Sequence, residues 1–315
     1  MRRIAARAPT RLDFGGGWTD VPPYSAREGG AVCNIAIARY ATAIVTDGDT
    51  GDPSALDGLV RAALRRSAAH DSGVQLTSDF PIAAGLGGSS AAGVALAGAL
   101  AVRAGDAIDR HALAMRSRET EVEELGVPGG YQDHFAAAYG GALLLTFGDD
   151  VTVTQLPVSA DFCTALSRRG ILVYTGESRI SGDTILAVRD AYLAGEARVV
   201  GALARMKALA AYMASAARSG DLGALAEMIG EHWSHQRILH PSITTPRIDA
   251  ITDAAMRSGA LGVKAMGASG GGCVLAIAAD GRETELAQAL APLGERLEFE
   301  VDNDGFALLP TLASQ

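Results

Sequence analysis

The stretch PIAAGLGGSSAAGVALAGAL, residues 81–100, limits the fold more than any other part of the chain. Gly85, Leu86, Gly87, Gly88, Ser89 and Ser90 stand together, and an Ala/Leu-rich run follows at once. Glycine lets a backbone turn with positive φ and lets a ligand approach closely. A helix starting just after such a loop points free N–H groups and the positive end of its dipole back at it. That pairing is an anion cradle, and its usual guest is phosphate. The same residues would also make a glycine-rich turn in which Ser89 or Ser90 is a plain N-cap. The preceding VQLTSDF alternates apolar and polar residues, the pattern of a half-buried strand. Strand, glycine loop and helix thus follow in order through residues 74–103.

The loop fits neither of two familiar templates. A Walker A loop needs Lys before its Ser/Thr, and none stands here. A dinucleotide fingerprint needs GxGxxG, and Gly85, Gly87 and Gly88 have the wrong spacing. Serine hydroxyls at a helix start would ligate Mg²⁺ or donate to phosphate. In APTRLDFGGGWTDVPPY, residues 8–24, Gly15, Gly16 and Gly17 beside Trp18 and Asp20 make a tight loop. Asp20 suits sugar hydroxyls and Trp18 offers a flat apolar face; Asp20 as a local cap is the competing reading. In EVEELGVPGGYQDHFAAAYGG, residues 121–141, Asp133 follows a Pro-Gly-Gly bend and opens a short Ala-rich helix. It reads as a general base aimed into a cleft or as a cap. Glu121, Glu123 and Glu124 read more readily as a solvated face than as metal ligands. KAMGASGGGCVLAI, residues 264–277, is a second backbone cradle for phosphate or a flexible hairpin. His232 and His235 lie one helical turn apart with no third ligand nearby, so they read as helix-surface histidines, not a zinc site.

A chain of 315 residues is expected to form two domains, here 1–158 and 159–315. DRHALAMRSRETEVEELG reads as one helix capped by Asp109, with Gly126 just past its end. GALLLTF and VTVTQL read as a hairpin, GILVYTG as a strand, and 183–233 as two or three helices. A helix beginning after Pro246, two strands around the second glycine loop, a helix over 282–290 and a strand RLEFEV follow. That closing β-β-α-β order suits a ferredoxin-like layer. The net charge of −9 argues against nucleic acid or an anionic membrane as partner, since both need a basic face. The apolar stretch Ala91–Val102 falls short of the ~18 residues that span a bilayer. Cys33, Cys163 and Cys273 are far apart and odd in number, as expected of reduced thiols. The N-terminus makes a poor signal peptide, so a cytoplasmic protein is expected.

In order and separation, these four stretches resemble the GHMP kinase superfamily over nearly the whole chain. RLDFGGGWTDVPPYSAREGGAVCNIAI and EHWSHQRILHPSITTPRIDA are most similar to its sugar 1-kinases, the heptose 7-phosphate kinases and L-fucokinases. The resemblance implies an α+β fold of two domains. The first would be α/β, of the ribosomal protein S5 domain 2-like kind; the second would be ferredoxin-like with added helices. It implies an ATP-dependent kinase of the anomeric (C1) hydroxyl of a sugar or sugar phosphate, with a heptose 7-phosphate foremost. An L-fucokinase-like enzyme for a free sugar is the alternative, and a catalytically silent sugar or nucleotide sensor is another. It implies catalysis by Asp133 and Arg11, and Mg²⁺ on Ser89 and Glu121, with Ser90 a rival to Ser89. ATP would lie against Gly85–Ser90, Gly270 and Gly271, and the sugar against Gly16, Gly17, Trp18, Asp20 and Asp133. Small-molecule substrates are the expected partners, and a homodimer is compatible with them. Two departures stand out. Gly17-Trp18 replaces the Glu-His of galactokinase, which speaks against galactose, and Ser269 interrupts the second glycine run with little expected effect. Arg179 or Arg237 would serve a distal phosphate.

Overall fold

A computed structural model describes residues 3–48, 57–177 and 182–310. The first half runs β1 (Arg3–Gly15), α1 (Tyr24–Glu28), β2 (Gly30–Asp47), α2 (Gly58–Arg65), β3 (Ser72–Ser78), α3 (Gly88–Ala104), α4 (Arg110–Arg118), α5 (Gln132–Tyr139), β4 (Ala142–Phe147) and β5 (Val151–Leu156). The second runs α6 (Ala160–Arg169), β6 (Gly170–Tyr174), α7 (Gly182–Leu193), α8 (Ala197–Ser219), α9 (Leu222–Gln236), α10 (Pro246–Arg257), β7 (Ala260–Ala265), β8 (Cys273–Ala278), α11 (Glu283–Leu290), β9 (Glu295–Arg296) and β10 (Ala307–Leu309).

Six strands form the first sheet in the order β10-β1-β2-β4-β5, with β3 also on β2. β2 is long enough to serve two partners on one edge. Residues 30–35 pair with β4 and residues 41–47 with β3. Its other edge runs along β1, where the register shifts between Pro9 and Thr10. The apolar α3 packs on β1 and β2. Its glycines let neighbours close in: a Cβ on Gly93 would meet the Ser117 hydroxyl, and one on Gly98 the Phe306 ring. Four antiparallel strands form the second sheet, β7-β8-β6-β9. That is the ferredoxin-like order, with α7–α10 inserted between its first two strands. One apolar cluster joins the two sheets. Leu12, Phe14 and Ile35 meet Leu209, Met213 and Ile229 of α8 and α9, and Leu172 and Leu275 of the second sheet. The α+β architecture is as expected, and no described helix is long and apolar enough to cross a membrane.

Four local readings change. The expected helix 109–126 has its Asp109 cap, donated to by the Ala112 amide at 2.7 Å, but only 110–118 is α-helical. Residues Glu119–Glu124 widen into a π-helix. The strand RLEFEV shrinks to Glu295–Arg296, after which Val301 bridges to Ile37 of the first sheet. α6 was hidden from periodicity; Ser159 caps it, taking a bond from the Phe162 amide at 3.1 Å. The last strand, β10, leaves the second sheet and pairs with β1, Ala5 opposite Leu309.

Candidate active site

The Gly85–Ser90 loop is built as an open helix start. Gly87 is the N-cap of α3 with φ +75°, and no side chain caps that end. The first-turn amides therefore lack helical partners and face outward with the positive dipole end. Neither serine is the cap: Ser89 is exposed, and Ser90 is buried with its hydroxyl donating to Glu121 Oε2 at 3.2 Å. Glycine is required where the two loops touch. A Cβ on Gly85 would lie 2.8 Å from the Met266 carbonyl, and the Cys273 amide donates to Ala84 O at 2.8 Å. The second loop, Met266–Gly272, uses part of its backbone on protein partners. Gly270 spends its amide on Ile243 O at 2.9 Å, and Gly271 lines the larger cavity described below. Ser269 is not an idle replacement either. It sits at φ +67°, where a side chain is strained, and its hydroxyl accepts from Gln236 Nε2 at 3.1 Å.

Asp133 lies in the first turn of α5, against the N-terminus of α3; a Cβ on Gly87 would be 3.0 Å from its Cγ. It does not cap α5. Arg11 on β1 donates to Asp133 Oδ1 through Nε at 2.8 Å and pairs through Nη2 at 2.7 Å. Its Nη1 donates to Gly85 O at 2.7 Å, so one guanidinium binds the acid to the Gly85–Ser90 loop. A guanidinium this close favours the ionised carboxylate and by itself would hold Asp133 below the usual range. Instead burial dominates and pushes the Asp133 carboxyl above the usual range, with Arg11 pulling it partly back. The side chain keeps 27% exposure, and Oδ2 has no protein partner among the described residues.

Asp20 is buried, and its Oδ2 accepts from the Tyr131 amide at 2.8 Å and the Gln132 amide at 3.0 Å. It thus caps α5 from a distant part of the chain. Burial pushes its carboxyl up to about 6, against the pull of those two amides. The loop before it is pinned by Thr19, whose hydroxyl donates to Gly16 O at 2.7 Å and accepts from the Ala31 amide at 3.1 Å. Gly16 has φ +89°, and a Cβ there would overlap Ala31 O. Gly17 passes so close to the Asp13 carboxylate that a Cβ would overlap Oδ2. Trp18 takes φ +77° and is nearly buried, rather than presenting an open face.

The acidic run sorts itself by burial. Glu124 pairs with Arg65 at 2.7 Å and Glu119 with Arg66, both at the surface. The π-helical segment carries Glu121 inward, to 16% exposure, so it does not belong to the solvated face. Burial raises its carboxyl, and the Ser89 hydroxyl pulls it back. His134, which the sequence does not single out, stands behind this pair. Ser117 donates to Ser90 O at 3.3 Å, so it accepts from His134 Nδ1–H at 2.9 Å. The Nε2 lone pair then faces Ser90 at 3.4 Å and Glu121 at 3.5 Å. Burial drops this imidazole to about 3, so it is neutral.

One other expectation fails on burial. His232 is not a surface residue but fully enclosed, held neutral at about 3 by burial, and the described residues hold no three-ligand metal cluster of His, Cys, Asp and Glu. Asp13 and Lys264, which sequence reasoning passes over, form a buried pair, Nζ to Oδ2 2.6 Å. Arg179 lies outside the described residues, and Arg237 pairs with Asp249 at 2.8 Å.

Two cavities open here. The larger, about 680 Å³, runs between Leu76, Phe80 and Pro81 and the loops at Gly85–Ser90 and Ser269–Gly271. The smaller, about 170 Å³, is bounded by Arg11, Gly17, Trp18, Asp20 and Gln132, with Val21, Val122, Val127, Pro128 and Ile185 as an apolar wall. They share Ser90, Glu121, Asp133 and Ala268. A large mixed cavity backed by a helix N-terminus thus meets a small acidic one at a wall carrying two carboxylates, Glu121 and Asp133.

Residues 56–141 match the family described as the GHMP kinases N terminal domain, and residues 213–295 match the GHMP kinases C terminal family. A D-glycero-alpha-D-manno-heptose 7-phosphate kinase of Campylobacter jejuni is 27% identical over 86% of this chain and 88% of its own. An L-fucokinase/L-fucose-1-P guanylyltransferase of Bacteroides fragilis is 26% identical over 88% of this chain but 35% of its own, much longer, sequence. The crystal structure of a D-glycero-D-manno-heptose 1-phosphate kinase from Bacteroides thetaiotaomicron superposes with a TM-score of 0.79, covering 98% of this chain and all of the other at 24% identity.

Proposed function

The chain belongs to the GHMP kinase family, and from that premise we propose that it moves the γ-phosphoryl group of ATP to the anomeric hydroxyl of a sugar. The observation that carries this is the shared wall: Asp133 and Glu121 border both cavities. ATP occupies the larger one, its phosphates against the open N-terminus of α3 and Gly271. The sugar occupies the smaller one. Phosphoryl transfer needs alignment and charge neutralisation rather than covalent help, and a helix start meeting a second loop supplies both.

Asp133 Oδ2 takes the proton of the anomeric hydroxyl, while Oδ1 stays fixed by Arg11. The upward push on Asp133 makes it a stronger base than an ordinary carboxylate. Asp20 holds the start of α5, and with it Asp133, at the sugar. The Ser89 hydroxyl and Glu121 carboxylate are hard oxygen donors, the set Mg²⁺ takes beside substrate phosphates. That ion, when bound, neutralises phosphate charge. The Ser90 hydroxyl, donating to Oε2 at 3.2 Å, fixes the Glu121 carboxylate for that role.

Heptose 7-phosphate is the acceptor carried over from the sequence resemblance. A free sugar is the second reading, and the lining of the smaller cavity favours it. Its cation among the described residues, Arg11, is already paired with Asp133, and five apolar side chains form a wall suited to a methyl group. An ADP-release assay across free and phosphorylated aldoses decides. Turnover that needs a sugar supports the kinase; equal ATP use with and without every sugar refutes it. On the same reading the protein works in the cytoplasm, and the chain passes from the first domain to the second near residue 158 before β10 returns to the first sheet.

A further inference from the structure

The interior beneath the sugar loop holds a charge pair that the mechanism above does not use. Lys264 has 0% exposure and Asp13 2%. Lys264 Nζ donates to Asp13 Oδ2 at 2.6 Å and to Asp13 O at 2.7 Å. It therefore grips both the side chain and the backbone of the same residue. Asp13 sits in β1 of the first sheet, just before the Gly15–Gly17 loop; Lys264 sits in β7 of the second, just before the Met266–Gly272 loop. The Gly17 backbone folds down onto Asp13 Oδ2, so close that no side chain fits between. Two positions back on β1, Arg11 holds Asp133.

We infer that Asp13 and Lys264 are a positioning pair that ties the Gly15–Gly17 loop of one sheet to the Met266–Gly272 loop of the other and so sets the distance between the two substrates. A plain core could be made without charges, since apolar residues of like volume often replace a buried ion pair at no loss of stability. What apolar residues cannot reproduce is a two-point hold on one backbone carbonyl and one carboxylate. The inference rests on the kinase reading for its kinetic part.

The test uses Lys264→Met, Asp13→Asn and the double variant Asp13→Asn/Lys264→Met. Lys264→Met leaves a buried carboxylate unpaired, so Tm should fall and some of the protein fail to fold. The double variant removes both charges, so its Tm should return toward wild type. Its kcat/KM for the sugar should nevertheless stay about 10²-fold down, the usual cost of misplacing reactants by about an ångström, while KM for ATP changes little. Hydrogen exchange should be faster in peptides spanning 13–20 and 264–272 of the double variant, and unchanged elsewhere. A double variant that regains Tm together with wild-type sugar kinetics makes the pair structural only and overturns the inference. If wild-type protein phosphorylates no sugar, the kinase reading has failed instead, and exchange alone judges the pair. Wild-type protection at 13–20 in the double variant overturns it there too.

Discussion

Replacing Asp133 by Asn removes a single capacity and leaves the geometry nearly whole. The Asn side-chain oxygen can keep both Arg11 contacts, at 2.8 and 2.7 Å, because Arg11 binds only Oδ1. The amide nitrogen takes the place of Oδ2, the atom without a protein partner that faces Gly87. The variant cannot accept a proton at neutral pH. If Asp133 is the base, kcat falls by roughly 10²–10⁴, about 3–5 kcal/mol of barrier. The stability cost is smaller. Arg11 is 3% exposed and keeps Gly85 O as an acceptor, so weakening one charge-assisted contact costs about 1–3 kcal/mol. At roughly 2–4 °C per kcal/mol that is a modest fall in Tm. Coupled ADP release at saturating ATP and sugar gives kcat, and a thermal melt of the same sample confirms folding. In wild type the acid limb of kcat/KM should lie above the ordinary carboxylate range, because burial raises Asp133. A folded Asn variant that keeps more than about a tenth of wild-type kcat removes the general-base role.

Glu121→Gln should lower the rate and weaken its Mg²⁺ dependence, whereas Glu124→Gln, which only frees the surface Arg65, should not; titrating Mg²⁺ against both variants checks this, and equal behaviour sinks the metal assignment. Asp20→Asn should raise KM for the sugar far more than KM for ATP. It should also flatten a pH slope. A carboxyl at about 6 when folded and 3.8 when free makes its full contribution to stability below 3.8 and loses it as pH rises through 6. Between those values wild type should therefore lose roughly 3 kcal/mol relative to the Asn variant. Urea titrations at pH 4 and 7 measure it, and identical slopes in the two proteins contradict it. Gly130→Ala should raise sugar KM with the fold retained, since a Cβ there collides with the Asp20 carboxylate; unchanged kinetics would mean that the Asp20 cap is not needed.

The parts of the site legible in the sequence are those made of consecutive residues. Glycine runs, a Pro-Gly-Gly bend and an Asp at a helix start carry their geometry with them. What stays hidden depends on distant pairing. Asp13 and Lys264 are 251 positions apart. The one available signal is a charged residue standing in a strand of otherwise apolar neighbours, as in LDF and VKAM. The inward turn of Glu121 escapes a reading that assumes 3.6 residues per turn, because π-helical bonding rotates it off the solvated face. His134 beside Asp133 reads as one more residue of an Ala-rich helix until Ser90 and Ser117 close on it. The short β9 and the return to the first sheet are equally unreadable, since the bridge from Val301 to Ile37 crosses most of the chain.

The pairing of β10 with β1 joins residues about three hundred positions apart. The first sheet is therefore discontinuous in sequence, with everything from α6 to β9 looped out between its fifth and sixth strands. A fragment cut near residue 158 would not be a whole unit. It would bare the edge of β1 at Ala5–Arg7, whose unpaired N–H and C=O groups invite other strands. Residues 301 and 307–309 thus cover part of the first sheet's edge as well as closing the fold. Because loop closure must precede any gain from so distant a contact, that edge stays open longest as the chain folds.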